Sequence, residues 1–286
     1  MAVTRTPNHD VSVVILTKNS GNTIEQCVRS VMEEHPGEVL VVDGMSTDAT
    51  LGILKRYNVR VISESSCSLG VARQLGVEAA NGTYVMFVDS DVELTSGSIE
   101  RMRSEIEKFG WAGITARIAS KYNSSYWQRA EDEFVSELYF NRPSPSQRKD
   151  EGHWPANIST AAALFRRALL LEYSFDPNFV DACEDLDLCW RLGKDNFTFG
   201  ISTAIVYHYH RQSFRAFFEQ HIIYGKGQAR IAFKHRLTPM LVQPLPIACV
   251  KIMKCVITGK LHLIPYWFVR GFSEFLGILI LSRERL

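Results

Sequence analysis

Two acids one residue apart, Asp89 and Asp91, follow the apolar run Tyr84 to Val88 (YVMFV). Carboxylates at that spacing can jointly hold a hard divalent cation, normally shared with the phosphates of a substrate. A lone D-x-D also serves as a helix cap or a solvated turn, so spacing alone does not choose. A second acidic cluster, CEDLDLCWR, carries Glu184, Asp185, Asp187 and Arg191. On its own it reads as a helix start, with acids at the positive end of the dipole and an i,i+4 pair between Asp187 and Arg191. His208 and His210 stand two apart after the apolar segment Ile201 to Val206. On a strand they share a face and both could reach one metal. Arg211 and Arg215 are four apart, and Lys226, Arg230 and Lys234 repeat that interval. Such a row is either a solvated helix face or a grip on phosphate.

The elements that must position these groups alternate. Val11 to Thr17 (VSVVILT) is a short apolar run that suits a buried strand. Helical spacing follows over Asn22 to Glu34, a strand over Glu38 to Val42 and a helix over Thr47 to Arg56. A strand over Val59 to Ile62, a helix over Leu69 to Ala79 and a strand over Thr83 to Val88 complete the series. Strands separated by such helices require crossovers and a parallel sheet covered on both faces. Ligands of such sheets bind at the carboxyl ends of the strands. Thr17-Lys18-Asn19, Asp43-Gly44-Met45-Ser46 and Asp89-Ser90-Asp91 all fall there. The turn after the first strand reads TKNSGNT, so no GxGxxG dinucleotide fingerprint is present, and no GxxxxGK[ST] phosphate loop occurs.

The composition is that of an ordinary globular chain: 286 residues, 46% hydrophobic and 22% charged. This excludes disordered, collagen-like and coiled-coil classes. A formal net charge of +1 gives no reason to expect nucleic acid. The charge is unevenly placed. Residues 236–286 hold seven Lys/Arg and two acids, a balance of +5, and the first 235 residues stand at −4. Six cysteines show no CxxC pair or zinc spacing, and MAVTRTPNHD has no apolar signal core. Free thiols in a reducing cytosol are expected.

Four ordered stretches resemble the family-2 nucleotide-sugar glycosyltransferases: VSVVILTKNSGNTIEQCVRSV, VLVVDGMSTDAT, SLGVARQLGVEAANGTYVMFVDSDVEL and FDPNFVDACEDLDLCWRL. The resemblance implies a GT-A fold, a Rossmann-like, mostly parallel mixed sheet flanked by helices. It implies that Thr17 and Asn19 line the nucleoside pocket, that Asp43 accepts from the base or ribose, and that Arg73 lies near the nucleotide. Asp91 would contact a divalent ion, Mn2+ or Mg2+, with Asp89 toward the ribose or a metal-bound water and His208 completing the site. An imidazole tilts that choice toward manganese. Asp185 would be the base of an inverting transfer, deprotonating the acceptor hydroxyl, with Glu184 orienting the acceptor. The family often carries VDDGS where this chain has Val42-Asp43-Gly44-Met45-Ser46, so Met45 displaces the serine.

The polar segment Arg142 to Trp154 is expected to be a mobile loop near the site, with Trp154 on the acceptor side. The tail, 236–286, is set apart from a catalytic domain at 1–235. Leu263 to Ser282 approaches spanning length but is interrupted by Arg270 and Glu274. Both tail helices read as amphipathic and suited to lie in an interface. The expectation is an inverting, metal-dependent transferase on the cytoplasmic face of the cell membrane. Its partners would be a nucleotide-diphosphate sugar, UDP first, and a glycan or lipid-linked acceptor. The rivals are a polyprenyl-phosphate sugar synthase of the same fold and a non-catalytic membrane scaffold.

Overall fold

The computed structural model describes residues 8–66, 68–141, 143–148 and 158–284. The first half runs β1 (Asn8–Thr17), α1 (Ile24–Met32), β2 (Pro36–Asp43), α2 (Thr50–Leu54), β3 (Arg60–Ser63), α3 (Leu69–Ala79) and β4 (Tyr84–Asp89). It continues through β5 (Val92–Leu94), α4 (Ser98–Phe109), β6 (Gly113–Ser120), α5 (Tyr126–Phe140) and β7 (Ser146–Gln147). Then come β8 (Ala162–Arg166), α6 (Arg167–Tyr173), α7 (Glu184–Lys194), β9 (Phe199–His208), α8 (Phe214–His235), α9 (Pro244–Ile257) and α10 (Ile264–Glu284).

The chain forms two compact units, one of residues 1–121, 135–180 and 185–209, the other of 122–134, 181–184 and 210–286. The first is built on one mixed sheet in the order β3-β2-β1-β4-β8-β6-β9-β5, with β7 also pairing β9. β3, β2, β1 and β4 are parallel, as the alternating pattern requires. Their register levels the strand ends, because Thr17 pairs with Asp43 and Leu16 with Asp89. β8 then runs antiparallel between β4 and β6. The core beneath includes Val14, Leu40, Phe87, Phe165, Leu188 and Phe199, with Phe87 edge-on to Phe165 and Phe175.

Two local devices set the rim. Ser68 caps α3, and Leu69 N and Gly70 N donate to the carbonyls of Val180 and Phe179 at 2.8 and 3.0 Å. A Cβ at position 70 would overlap the Asp176 carbonyl, so glycine is needed for that approach. In β9 the register against β6 slips by two residues between Thr115↔Ile201 and Arg117↔Ile205. Buried Glu105 accepts from Ser202 Oγ and the Thr203 amide, filling the slip. The shift brings His208 opposite Val92 of β5.

The segment expected to be a loop, 142–154, contributes the short strand β7 where it is described; Trp154 lies outside the described residues. Cys27, Cys183, Cys189, Cys249 and Cys255 are free thiols, and Cys67 lies outside the described residues. The second unit is helical. α8, α9 and α10 enclose an aromatic cluster in which Phe217, Tyr266 and Trp267 pack with Ala130, Cys255 and Leu263.

Candidate active site

Adjacent strands bring polar groups to one edge of the sheet. Thr17 and Asp43 end β1 and β2 side by side and are both buried. Asp43 Oδ2 accepts from the Ser46 amide at 2.9 Å, while Asp43 Oδ1 and Thr17 Oγ1 are buried without a protein partner. Glu64, one residue past β3, repeats the arrangement: Oε1 accepts from the Ser66 amide at 2.6 Å and Oε2 has no partner. Buried polar atoms are almost always hydrogen-bonded, so three open oxygens on three neighbouring strand ends mark a place built for a ligand with donors.

The loop after β2 is tied to the loop after β1. Asn19 has φ 52°, donates its amide to Ser46 Oγ at 2.8 Å and accepts from the Thr47 amide at 2.8 Å. Asp48 accepts from Thr50 Oγ1 and the amides of Thr50 and Gly21. The Thr50 hydroxyl bond, followed by those amides, holds its carboxyl below the usual range. Asn19 thus shapes the pocket wall by clamping the 46–47 turn. Met45, with φ 62° and mostly exposed, rides on that turn. Its displacement of the serine leaves Asp43 bonded to Ser46 one position later.

Arg73 rises from α3 with only 3% exposure, its guanidinium 5.1 Å from the Phe87 ring centre, and its Nη2 lies 3.3 Å from Asp89 Oδ1. Part of Asp89's charge is therefore given to a buried cation. Asp91 Oδ1 lies 3.4 Å from His208 Nε2, and its carbonyl accepts from the Tyr209 amide at 3.0 Å. The turn between β4 and β5 is held further by Ser90 Oγ, 2.8 Å from Ser20 Oγ. Behind it, burial first and then the charges of Asp91 and Asp89 push the Cys27 thiol well above its ordinary pKa, which makes it an inert packing group.

Ligands bound cis at hard-metal distances stand roughly 3 Å apart, so Asp91 and His208 are close to a shared-ion spacing. No group of three or more His, Cys, Asp or Glu side chains among the described residues could hold a metal by itself. A two-donor set fits an ion that completes its shell with phosphate oxygens and water. His210 belongs to the helical unit, where its carbonyl accepts from Gln128 Nε2 at 3.1 Å.

Asp185 opens α7 on the sheet side. Its Oδ2 accepts from the Thr160 amide and hydroxyl at 3.3 and 3.4 Å, and its Oδ1 from the Leu186 amide at 2.7 Å. The next residue, Ala161, accepts from the Asp89 amide at 2.9 Å. Consecutive residues ahead of β8 therefore hold the acid of the D-x-D turn and the acid of the second cluster. Glu184 is buried and groups with the helical unit. Asp187 is fully buried and bonded to Arg191 Nε at 2.9 Å, so this i,i+4 pair is an inward structural clamp.

The cations after β9 have partners of their own. Arg215 pairs with Glu219 at 2.8 Å, Lys226 with Glu284 at 3.7 Å, and Arg230 with Asp181 at 3.4 Å, while Arg211 is exposed. Sequence reasoning missed Thr160 and Glu64. Thr160 sits in NISTAA, which carries no motif signal, and Glu64 lies in a serine-rich turn that reads as solvated.

Comparison with known proteins agrees with this architecture. Residues 12–173 match the model of the family described as Glycosyl transferase family 2. The succinoglycan biosynthesis protein ExoA of Rhizobium meliloti is 27% identical over 252 residues, covering 84% of this chain and 75% of that one. EpsJ and TuaG of Bacillus subtilis, 30% and 36% identical, are matched over only 30% and 39% of their own length. Among solved structures, TarS 1–349 of S. aureus in complex with UDP aligns with a TM-score of 0.52 at 20% identity, covering 97% of this chain and 92% of that one. GalNAc-T7 with UDP, GalNAc and Mn2+ aligns with a TM-score of 0.56 at 16% identity, over 71% of this chain and 43% of that one. The mixed sheet with its polar strand ends has the GT-A fold, and the chain is a member of glycosyltransferase family 2.

Proposed function

We propose that this glycosyltransferase is inverting and metal-dependent, moving a sugar from a nucleoside diphosphate, UDP first, to a hydroxyl of a glycan or lipid-linked acceptor at the cytoplasmic face of the membrane. The observation that carries the reading is the shared anchoring of Asp89 and Asp185 on Ala161 and Thr160. That anchoring supports reading Asp89 as the donor-side acid and Asp185 as the acceptor-side acid of one site. Thr17 Oγ1 and Asp43 Oδ1 offer acceptors to the N–H and O–H groups of a nucleoside, with Asn19 holding the pocket wall. Arg73 and Asp89 form the charged floor near the diphosphate. Asp91 and His208, with Asp89 close by, would hold Mn2+ or Mg2+. A bound divalent ion would neutralise charge developing on the leaving diphosphate. Asp185 takes the proton of the attacking hydroxyl, and Glu184 orients the acceptor. Arg211 and Arg215 at the entry to α8 are the cations best exposed for an acceptor phosphate. Lys226 and Arg230 would have to exchange Glu284 and Asp181 for that role, and Trp154 is kept as an acceptor-side residue. The membrane-associated part is assigned to 236–286, after a catalytic part at 1–235.

UDP-bound and Mn2+-bound structures of the same fold support this choice of donor class and ion. Calorimetric titration of UDP, GDP and dTDP, each with and without Mn2+, tests it. UDP binding that needs the metal is the expected result, and no binding of any nucleotide would refute the donor site.

A further inference from the structure

Length and hydropathy single out Leu261–Glu284 as the helical stretch apolar enough to cross a bilayer. The packing of α10 argues against that. Arg270 and Glu274 stand in mid-helix and belong to a buried cluster. Glu274 accepts from Arg270 Nε at 3.1 Å and from Gln228 Nε2 at 3.1 Å, and lies 2.9 Å from His221 Nδ1. Arg270 also donates to Tyr266 Oη at 2.7 Å, and that hydroxyl donates to Glu131 at 2.8 Å. α8 and α10 touch backbone to backbone: a Cβ at Gly225 would overlap the Glu274 carbonyl, and one at Gly277 the Ile222 carbonyl. α10 therefore buries its polar middle against α8, although Phe268, Phe272 and Leu279 stay exposed on its other side.

α9 is the opposite case. Pro244, Ala248 and Cys255 recur at helical spacing and are buried. Val250, Met253 and Ile257 fall on the opposite side and are 65%, 64% and 81% exposed. Leu245, Ile247 and Val256 widen the exposed apolar surface. A helix that is apolar nearly all round is ordinarily buried or set in lipid, yet half of this one faces outward. Its only charged residues are Lys251 and Lys254, both cationic, and it carries no acid. Lys251 Nζ lies 5.0 Å from the centre of the Trp267 ring at the edge of the buried face.

We infer that α9 makes membrane contact and that α10 does not span: α9 lies along an anionic bilayer surface with Val250, Met253 and Ile257 in the acyl boundary and Lys251 and Lys254 at the headgroups. The inference rests on the membrane-located acceptor proposed above and names the surface that reaches it. Charge complementarity selects anionic lipid, because a cationic margin without acids is suited to that surface.

The test is co-sedimentation of the full chain with vesicles of phosphatidylcholine alone or mixed with phosphatidylglycerol, with UDP titration on the same samples. Binding is expected to the phosphatidylglycerol vesicles and to be released by alkaline carbonate. Combined Val250→Ser, Met253→Ser and Ile257→Ser should weaken it at least about tenfold. Lys251→Gln with Lys254→Gln should weaken it roughly 25-fold. Unchanged binding by the serine variant overturns the assignment, and so does carbonate resistance, which would make α10 a spanning helix. A chain that ignores both vesicles and sediments as a dimer, dissociated by the serine substitutions, also overturns it in favour of a second copy. Loss of UDP binding by the unmodified chain would instead strike the donor-site reading and leave the vesicle result standing.

Discussion

Buried carboxylates of the two units are treated differently. At the sheet edge, Thr17 Oγ1, Asp43 Oδ1 and Glu64 Oε2 are buried and left open. In the helical unit, both carboxylate oxygens of Glu274 are bonded, to His221 and Arg270 on one side and Gln228 on the other. An unpartnered buried acceptor costs about 1–3 kcal/mol, and the fold retains three of them on adjacent strand ends. A ligand with donors recovers that cost, whereas the Glu274 carboxylate is already satisfied by the protein. The contrast is between acceptors left open side by side on aligned strand ends and a carboxylate that its own neighbours complete.

The sharpest way to break this comparison is Asp185→Asn. Transfer should fall by about 10²- to 10⁴-fold in kcat while UDP affinity stays within twofold. Steady-state rates beside calorimetry would show it, and a fully active variant removes Asp185 as base. Glu274→Ala should do the reverse. Breaking a buried ion pair typically costs about 3–5 kcal/mol, read as a lower unfolding midpoint of the helical unit. UDP affinity should be unaltered at temperatures where the variant is folded.

Asp43→Asn is a gentler probe. It keeps the shape, removes an acceptor charge, and should weaken UDP by roughly tenfold without lowering stability. A loss of stability in place of affinity would mean that Asp43 is structural, like Glu274. The smallest effect expected is an acid response. Burial raises the Glu274 carboxyl, but Arg270 first and then His221 override it and hold it at about 2. A folded value below the unfolded one, about 4.3, gives stability that is complete above the unfolded value. It is lost as pH falls through about 2. The stability gap between the unmodified chain and Glu274→Gln should therefore narrow steadily from pH 5 toward pH 2, as followed by circular dichroism. A gap independent of pH would show that Glu274 is not ionised in the fold.

Much of the catalytic half was legible because strand ends in a parallel sheet are predictable places. VSVVILT, EVLVV and TYVMFV had to be buried strands, and crossover connections had to put Thr17, Asp43 and Asp89 on one edge. The acid cluster at 183–191 was legible as a helix start with an Asp187–Arg191 pair, but the groups that hold Asp185 were not. Asp185 reaches the Thr160 amide, and Asp187 turns inward to Arg191. The two acids stand two residues, about 200° of rotation, apart, so they meet neighbours on different sides of the helix.

By itself, the sequence determined the layered α/β class, the polar strand ends and the uneven charge of the tail, since each follows from local periodicity and composition. Only the tertiary structure decided which oxygens remain open, because an open acceptor is defined by the absence of every distant partner. It also decided that His208 meets Asp91, through the two-residue slip in β9 filled by Glu105 from α4. And it distinguished the last two helices, which the sequence reads alike as amphipathic. Hydropathy counts residues along a chain, but burial depends on what packs against each face: α10 buries its charged middle, Arg270 and Glu274, against α8, and α9 leaves Val250, Met253 and Ile257 facing outward.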